Sequence, residues 1–205
     1  MNHKYSQQVI HRANPEICLV PLGLRSIGHG FFMSGFHNDY SRQTNFHMLL
    51  LSMKGCGTVI TSQRTLTLEK GCAIIVPPDG KFMMKNQGEK VWESRWLTFD
   101  GPAAETLCSC FHFSTHPFPA KDFLPSDFNR MISHLADPSL NGERQAGVEL
   151  YGFLAKMAVL ATGEEFPRYE QGSADLIQQI GQETLLSGNV QEIAAELPAD
   201  RILVE

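Results

Sequence analysis

The sequence carries no surplus of positive charge: 17 lysines and arginines stand against 22 aspartates and glutamates, a formal net charge of −5. A domain that holds nucleic acid by itself needs a basic excess to neutralise phosphates, so any reading surface here is local or missing. No His-x-His occurs among the 8 histidines, which removes the spacing that puts two imidazoles on one strand face to share a metal. The five cysteines are odd in number and lack Cys-x-x-Cys spacing. They suggest neither a disulfide framework nor a zinc knuckle, and a reducing, cytoplasmic setting is expected. No apolar run reaches transmembrane length, and the first residues lack a signal-peptide core, so no membrane partner is expected. There is no Ser-His-Asp pattern, Gly-rich phosphate loop or paired-carboxylate signature, and neither repeats nor low-complexity tracts.

What is present reads as a globular protein, 42% apolar and 19% charged, strands first and helices second. Asn45–Gly55 is a mostly apolar run closed by glycine. In the next segment Leu66 and Leu68 alternate with Thr65 and Thr67, after Val59 and Ile60, which predicts a hairpin. "CAIIVPP", "KFMMKN" and "VWESRWLTF" follow, and short strands at intervals of roughly ten residues suggest an antiparallel sandwich or barrel. Cys56 and Cys72 lie in strand-like runs and read as small buried hydrophobes.

After Gly101-Pro102 the pattern becomes helical. "AAETLCSCFHF" predicts a short helix, and "PSDFNRMISHLAD" another, with Ser126 or Asp127 as its N-cap. Glu143–Thr162 is the clearest helix, because Ala146, Leu150, Phe153, Leu154, Met157, Leu160 and Ala161 share one face. Thr162–Ser173 is polar and reads as a linker, followed by two further helical stretches, "ADLIQQIGQETLL" and "NVQEIAAEL". Cys108, Cys110, His112 and His116 lie close together, yet on a helix the two cysteines diverge, which disfavours a zinc site.

Between Asn45 and Pro102 the ordered set "KGCG", "LTLEKGCAIIVPP" and "WESRWLTFDGP" resembles the N-terminal sensor domain of AraC-family transcriptional regulators. Gly71, Pro77-Pro78, Trp96, Phe99 and Gly101 stand at that family's intervals. "NVQEIAAELPADRILVE" resembles the opening of the family's helix-turn-helix domain, with Asp200 where a capping serine is usual and Pro198 where the turn has glycine. The resemblance stops at Glu205, inside the expected recognition helix. It implies an α+β fold: an antiparallel cupin-like β-barrel (jelly roll) followed by packing and dimerisation helices. Residues 1–165 are expected to form the effector-binding and dimerisation domain, and residues 166–205 a linker helix and the start of a helix-turn-helix domain.

The resemblance also implies a pocket inside the barrel. If "VWESRWLTF" is a strand, Trp92, Ser94, Trp96 and Thr98 share a face. In resembling sugar-binding regulators the Trp96 position stacks on the ligand, the Ser94 position makes a polar contact, and an arginine at the Arg42 position bonds sugar hydroxyls. A core tryptophan and an exposed loop arginine are the plain alternatives. Phe82 stands where the family often has histidine, and Met84 where it often has tyrosine, which makes the expected rim apolar. The expected site is therefore Arg42, Phe82, Met84, Ser94 and Trp96, with no catalytic residue, metal or cofactor. The expected function is the ligand-sensing part of an AraC-type regulator: a homodimer that takes a small effector, a sugar being one candidate, and reaches DNA only through a complete C-terminal domain. A stand-alone cupin enzyme such as an isomerase is the alternative.

Overall fold

A computed structural model describes residues 5–14, 17–40, 45–62, 64–78, 82–120 and 125–162. Strands come in the order β1 (Tyr5–His11), β2 (Gly23–Phe32), β3 (Phe36–Tyr40), β4 (His47–Lys54), β5 (Gly57–Thr61), β6 (Thr65–Leu68), β7 (Cys72–Val76), β8 (Phe82–Asn86) and β9 (Trp92–Asp100). They are followed by α1 (Ala104–Cys110), the short β10 (Phe118–Pro119), α2 (Pro125–Leu135) and α3 (Leu140–Thr162). The strands form two antiparallel sheets, six-stranded in the order β1-β2-β9-β4-β7-β10 and four-stranded in the order β3-β8-β5-β6. The expected α+β plan of strands followed by helices is what the chain adopts.

Period-two alternation sorts the side chains of the large sheet onto two faces. Leu49, Leu51, Ile75, Leu97 and Phe99 point one way, against Phe128 and Met131 of α2 and Leu150, Phe153, Leu154 and Met157 of α3. Met48, Leu50, Ile74, Trp92 and Trp96 point the other way, onto Val59, Leu68, Phe82 and Met84 of the small sheet. Each such large side chain, fully buried, contributes about 1.5–3 kcal/mol. The large sheet is therefore the central layer, covered by helices on one face and by the small sheet on the other.

The double proline marks a change of sheet. β7 ends at Val76 in the large sheet, and β8 restarts at Phe82 in the small one. Proline supplies no ladder donor, so it suits a point where pairing on one side ends. At the other end of the same strand, Gly71 adopts φ 76°, a conformation that favours glycine, to turn the chain into β7.

Several expectations are corrected. The alternation predicts strands only from residue 45 onward, yet β1, β2 and β3 precede it, and β2 lies beside β9. Arg25 bulges out of the β2–β9 ladder, so Leu24 pairs with Phe99 and Ser26 with Thr98. The bulge reverses the alternation, which hides the strand from a period-two search. Cys56 is exposed in the turn after β4 rather than buried. Ser126 and Asp127 lie inside the first turn of α2, which starts at Pro125, and Asp127 instead bonds Lys156 Nζ at 3.0 Å. α3 starts three residues early because Ser139 Oγ accepts the Gly142 N–H at 3.1 Å, an N-cap the sequence reading missed. The expected linker, both C-terminal helical stretches and the helix-turn-helix remnant lie beyond residue 162, outside the described residues.

Candidate functional site

The packed interior between the sheets is built around β9. Its inward face carries Trp92, Ser94, Trp96 and Thr98, as the alternation predicts, and Glu93, Arg95, Leu97 and Phe99 face outward. Opposite Trp96 and Ser94 on β2 are Gly28 and Gly30. A Cβ on Gly28 would sit 2.0 Å from Trp96 Cε2, so the indole occupies the volume where a side chain would be. Gly57 makes the same room for Trp92, whose Cε3 would be 2.3 Å from an added Cβ. Phe32 bridges the two indoles, with ring centroids 5.3 Å from Trp92 and 6.2 Å from Trp96, and stacks on Phe36 at 4.4 Å.

Four of the five expected site residues meet in this interior: Phe82, Met84 and Trp96 belong to one apolar cluster, and Ser94 stands beside Trp96 on the same face of β9. Arg42 lies outside the described residues. Trp96 retains 8% exposure, whereas Ser94 is fully buried and donates its hydroxyl to the Leu51 carbonyl at 2.8 Å. That bond commits the Ser94 proton to the protein. The other inward hydroxyls are engaged too: Ser26 and Thr98 share a 2.6 Å bond, and Trp92 Nε1 donates to Ser52 Oγ at 3.0 Å. Pairing is what keeps buried polar groups from destabilising the fold. The interior thus offers aromatic and aliphatic surface, with its serine and threonine hydroxyls paired to protein partners.

The ends of the strands are fixed by charge. Arg12, just after β1, donates Nη1 to Asp100 Oδ1 at 2.9 Å and Nη2 to Oδ2 at 2.7 Å, a bidentate pair at the end of β9. His47 is buried, stacks on Phe99 with centroids 5.1 Å apart, and lies 3.0 Å from Glu105 through Nε2. Burial holds its pKa below the ordinary histidine value, with Glu105 opposing. His29 pairs with Glu93 at 3.0 Å, and His37 is exposed on β3.

A cupin-type metal does not fit these residues. The inward positions after the double proline hold Phe82 and Met84, and among the described residues no group of three histidine, cysteine or carboxylate side chains has the placement to hold an ion. The cysteine-histidine cluster is dispersed: Cys108 is half-buried, Cys110 is exposed, and His116 contacts Arg64. Burial, reinforced by Glu105, pushes the Cys108 thiol up to about 12. Among the described residues no helix is long and apolar enough to cross a membrane.

These features define an α+β domain that resembles the cupin type: two facing antiparallel sheets, an aromatic interior and helices behind. The family model for the AraC-like ligand binding domain matches residues 34–147, and the chain belongs to that family. β1 and β2 precede the matched region, which ends within α3. Similar solved structures include the cupin domain of an XRE family transcriptional regulator from Enterobacter cloacae, at 8% identity and TM-score 0.38, covering 47% of this chain and 96% of that one. A cupin superfamily protein from Desulfitobacterium hafniense matches at 12% identity and TM-score 0.39, covering 48% and 79%. A conserved barrel domain protein from Salinispora arenicola matches at 10% and 0.38, covering 52% and 84%. At that distance these likenesses add nothing to the family assignment. No curated protein matches the chain.

Proposed function

We propose that this chain is the effector-sensing part of an AraC-type transcriptional regulator, non-catalytic, with its ligand held between the two sheets as in a cupin-like barrel. The observation that carries the reading is Trp96: an indole backed by Gly28 and Gly30, inside a domain of the ligand-binding family. A backed indole offers a flat, rigid surface to a ring at little entropic cost. The hydroxyls around it are committed to protein partners, so the effector this interior suits is a compact, largely apolar or aromatic molecule rather than a sugar with its ring of hydroxyls. The same pairing leaves no inward acid or base poised for turnover among the described residues, which favours sensing over an isomerase.

Two copies would pair through the outward face of α3, where Val148 is 65% and Tyr151 49% exposed. An effector that fits one arrangement of the pair better than another would shift how attached DNA-binding domains are presented. Calorimetric titration of sugars and small aromatic metabolites against the wild type and Trp96→Ala tests the reading. An aromatic ligand should bind the wild type and lose at least about tenfold in affinity, roughly 1.4 kcal/mol, in the variant. Binding that ignores the substitution would overturn the assignment.

A further inference from the structure

Behind the large sheet, under α2, lies a cavity of about 210 Å³ lined by Gln8, Ile27, His29, Arg95, Phe128 and Asn129 among others. Arg95 points out of β9 toward the helices, between His29 of β2 and Leu51 of β4 on the neighbouring strands. Its guanidinium lies over the Phe128 ring, 5.6 Å from the centroid. Its Nε is buried, and among the described residues it has no hydrogen-bond partner and the guanidinium no carboxylate in ion-pair reach. The nearest acidic residue in sequence on that face, Glu93, is engaged by His29 at 3.0 Å.

A lysine in this position could shed its proton, but arginine cannot, so the charge stays in a half-apolar site. Arg95 is half-buried as a whole, but a buried guanidinium N–H without an acceptor is rare in native proteins, and a bound anion is one way of satisfying it. At about 210 Å³ the cavity has room for a small oxyanion with a short tail. Its polar wall supplies a planar donor fork, and the Gln8 and Asn129 amides can each donate as well. Its apolar wall is Ile27 and Phe128.

We propose that this cavity is a binding site for a small oxyanion, separate from the space between the sheets, with Arg95 as its principal donor. The site spans β1, β2, β9 and α2, so an anion there ties α2 to the sheet. A short-chain carboxylate and an inorganic phosphate share the required chemistry.

The test is calorimetric titration of inorganic phosphate, acetate and butyrate, each to about 10 mM, against four forms of the chain. Wild type and Met33→Ala, an exposed side chain outside the cavity lining, should bind at least one of these anions equally well. Arg95→Met should weaken that binding at least about tenfold, and the exposed Asn129→Asp should do the same by placing a competing carboxylate at the rim. Circular dichroism on both variants separates loss of the site from loss of the fold. Tighter binding of butyrate than of acetate would identify an organic carboxylate, and tighter binding of phosphate an inorganic one; either supports the site. Absence of binding by all three anions, or binding unchanged in folded Arg95→Met, overturns it.

Discussion

Gly28→Ala probes the placement of the indole at the heart of the candidate site. The new methyl would lie 2.0 Å from Trp96 Cε2, 2.2 Å from Cζ2 and 2.5 Å from Nε1, closer than non-bonded carbons approach. Burying one methyl would favour the fold by about 0.8 kcal/mol, but the overlap must be relieved first. Trp96 is a rigid ring at 8% exposure with Phe32 beside it, so it moves only by disturbing its neighbours. Overpacking of this kind costs about 1–3 kcal/mol, and in a domain of this size each kcal/mol lowers Tm by roughly 2–4 °C. Urea unfolding followed by circular dichroism should therefore show a lower midpoint at unchanged slope. A double-mutant cycle with Trp96→Leu isolates the contact: on that background Gly28→Ala should cost at least about 1 kcal/mol less than in the wild type. Additive effects, or a Gly28→Ala protein as stable as the wild type, would refute the packing described here.

His47 gives a pH signature. Its folded pKa lies below the unfolded value of about 6.5, so the unfolded chain binds the proton more readily and stability falls as pH drops below that value. Denaturant titrations at stepped pH should show this decline in the wild type and a flatter profile in His47→Gln. Asp100→Ala removes the bidentate partner of the nearly buried Arg12 and leaves it Glu143 at 3.8 Å, so thermal unfolding should register a loss of about 1–3 kcal/mol. If α3 pairs two copies, Val148→Asp should convert a dimer to a monomer in sedimentation velocity without lowering Tm, since the side chain is exposed.

Much of the candidate site was legible along the chain. Alternation in "VWESRWLTF" identified which side chains of β9 share a face, because a pleated strand leaves only two directions. The apolar residues after the double proline were legible as a rim without metal ligands for the same reason. The strand beside β9 was not legible: β2 carries glycines where side chains would announce a strand, and those glycines exist because Trp96 fills the space. The fate of Ser94 was equally hidden, since its acceptor, the Leu51 carbonyl, is on a strand 43 residues away. Asp127 looked like a cap because capping is local, but its partner Lys156 comes from the next helix.

By itself the sequence determined the elements whose signals are local: period-two strands, the amphipathic face of α3, and the proline and glycine punctuation that stops and turns them. It also determined the chemistry available, apolar and aromatic in "KFMMKN" and "VWESRW" with little to ligate a metal. Only the tertiary structure decided where β7 and β8 part company, one in each sheet, because sheet membership depends on long-range pairing. It alone decided that Arg95, an unremarked outward residue of β9, would be roofed by Phe128 with its Nε unpaired. Burial and partnership are properties of surroundings that distant segments bring together, and no window of the chain contains them.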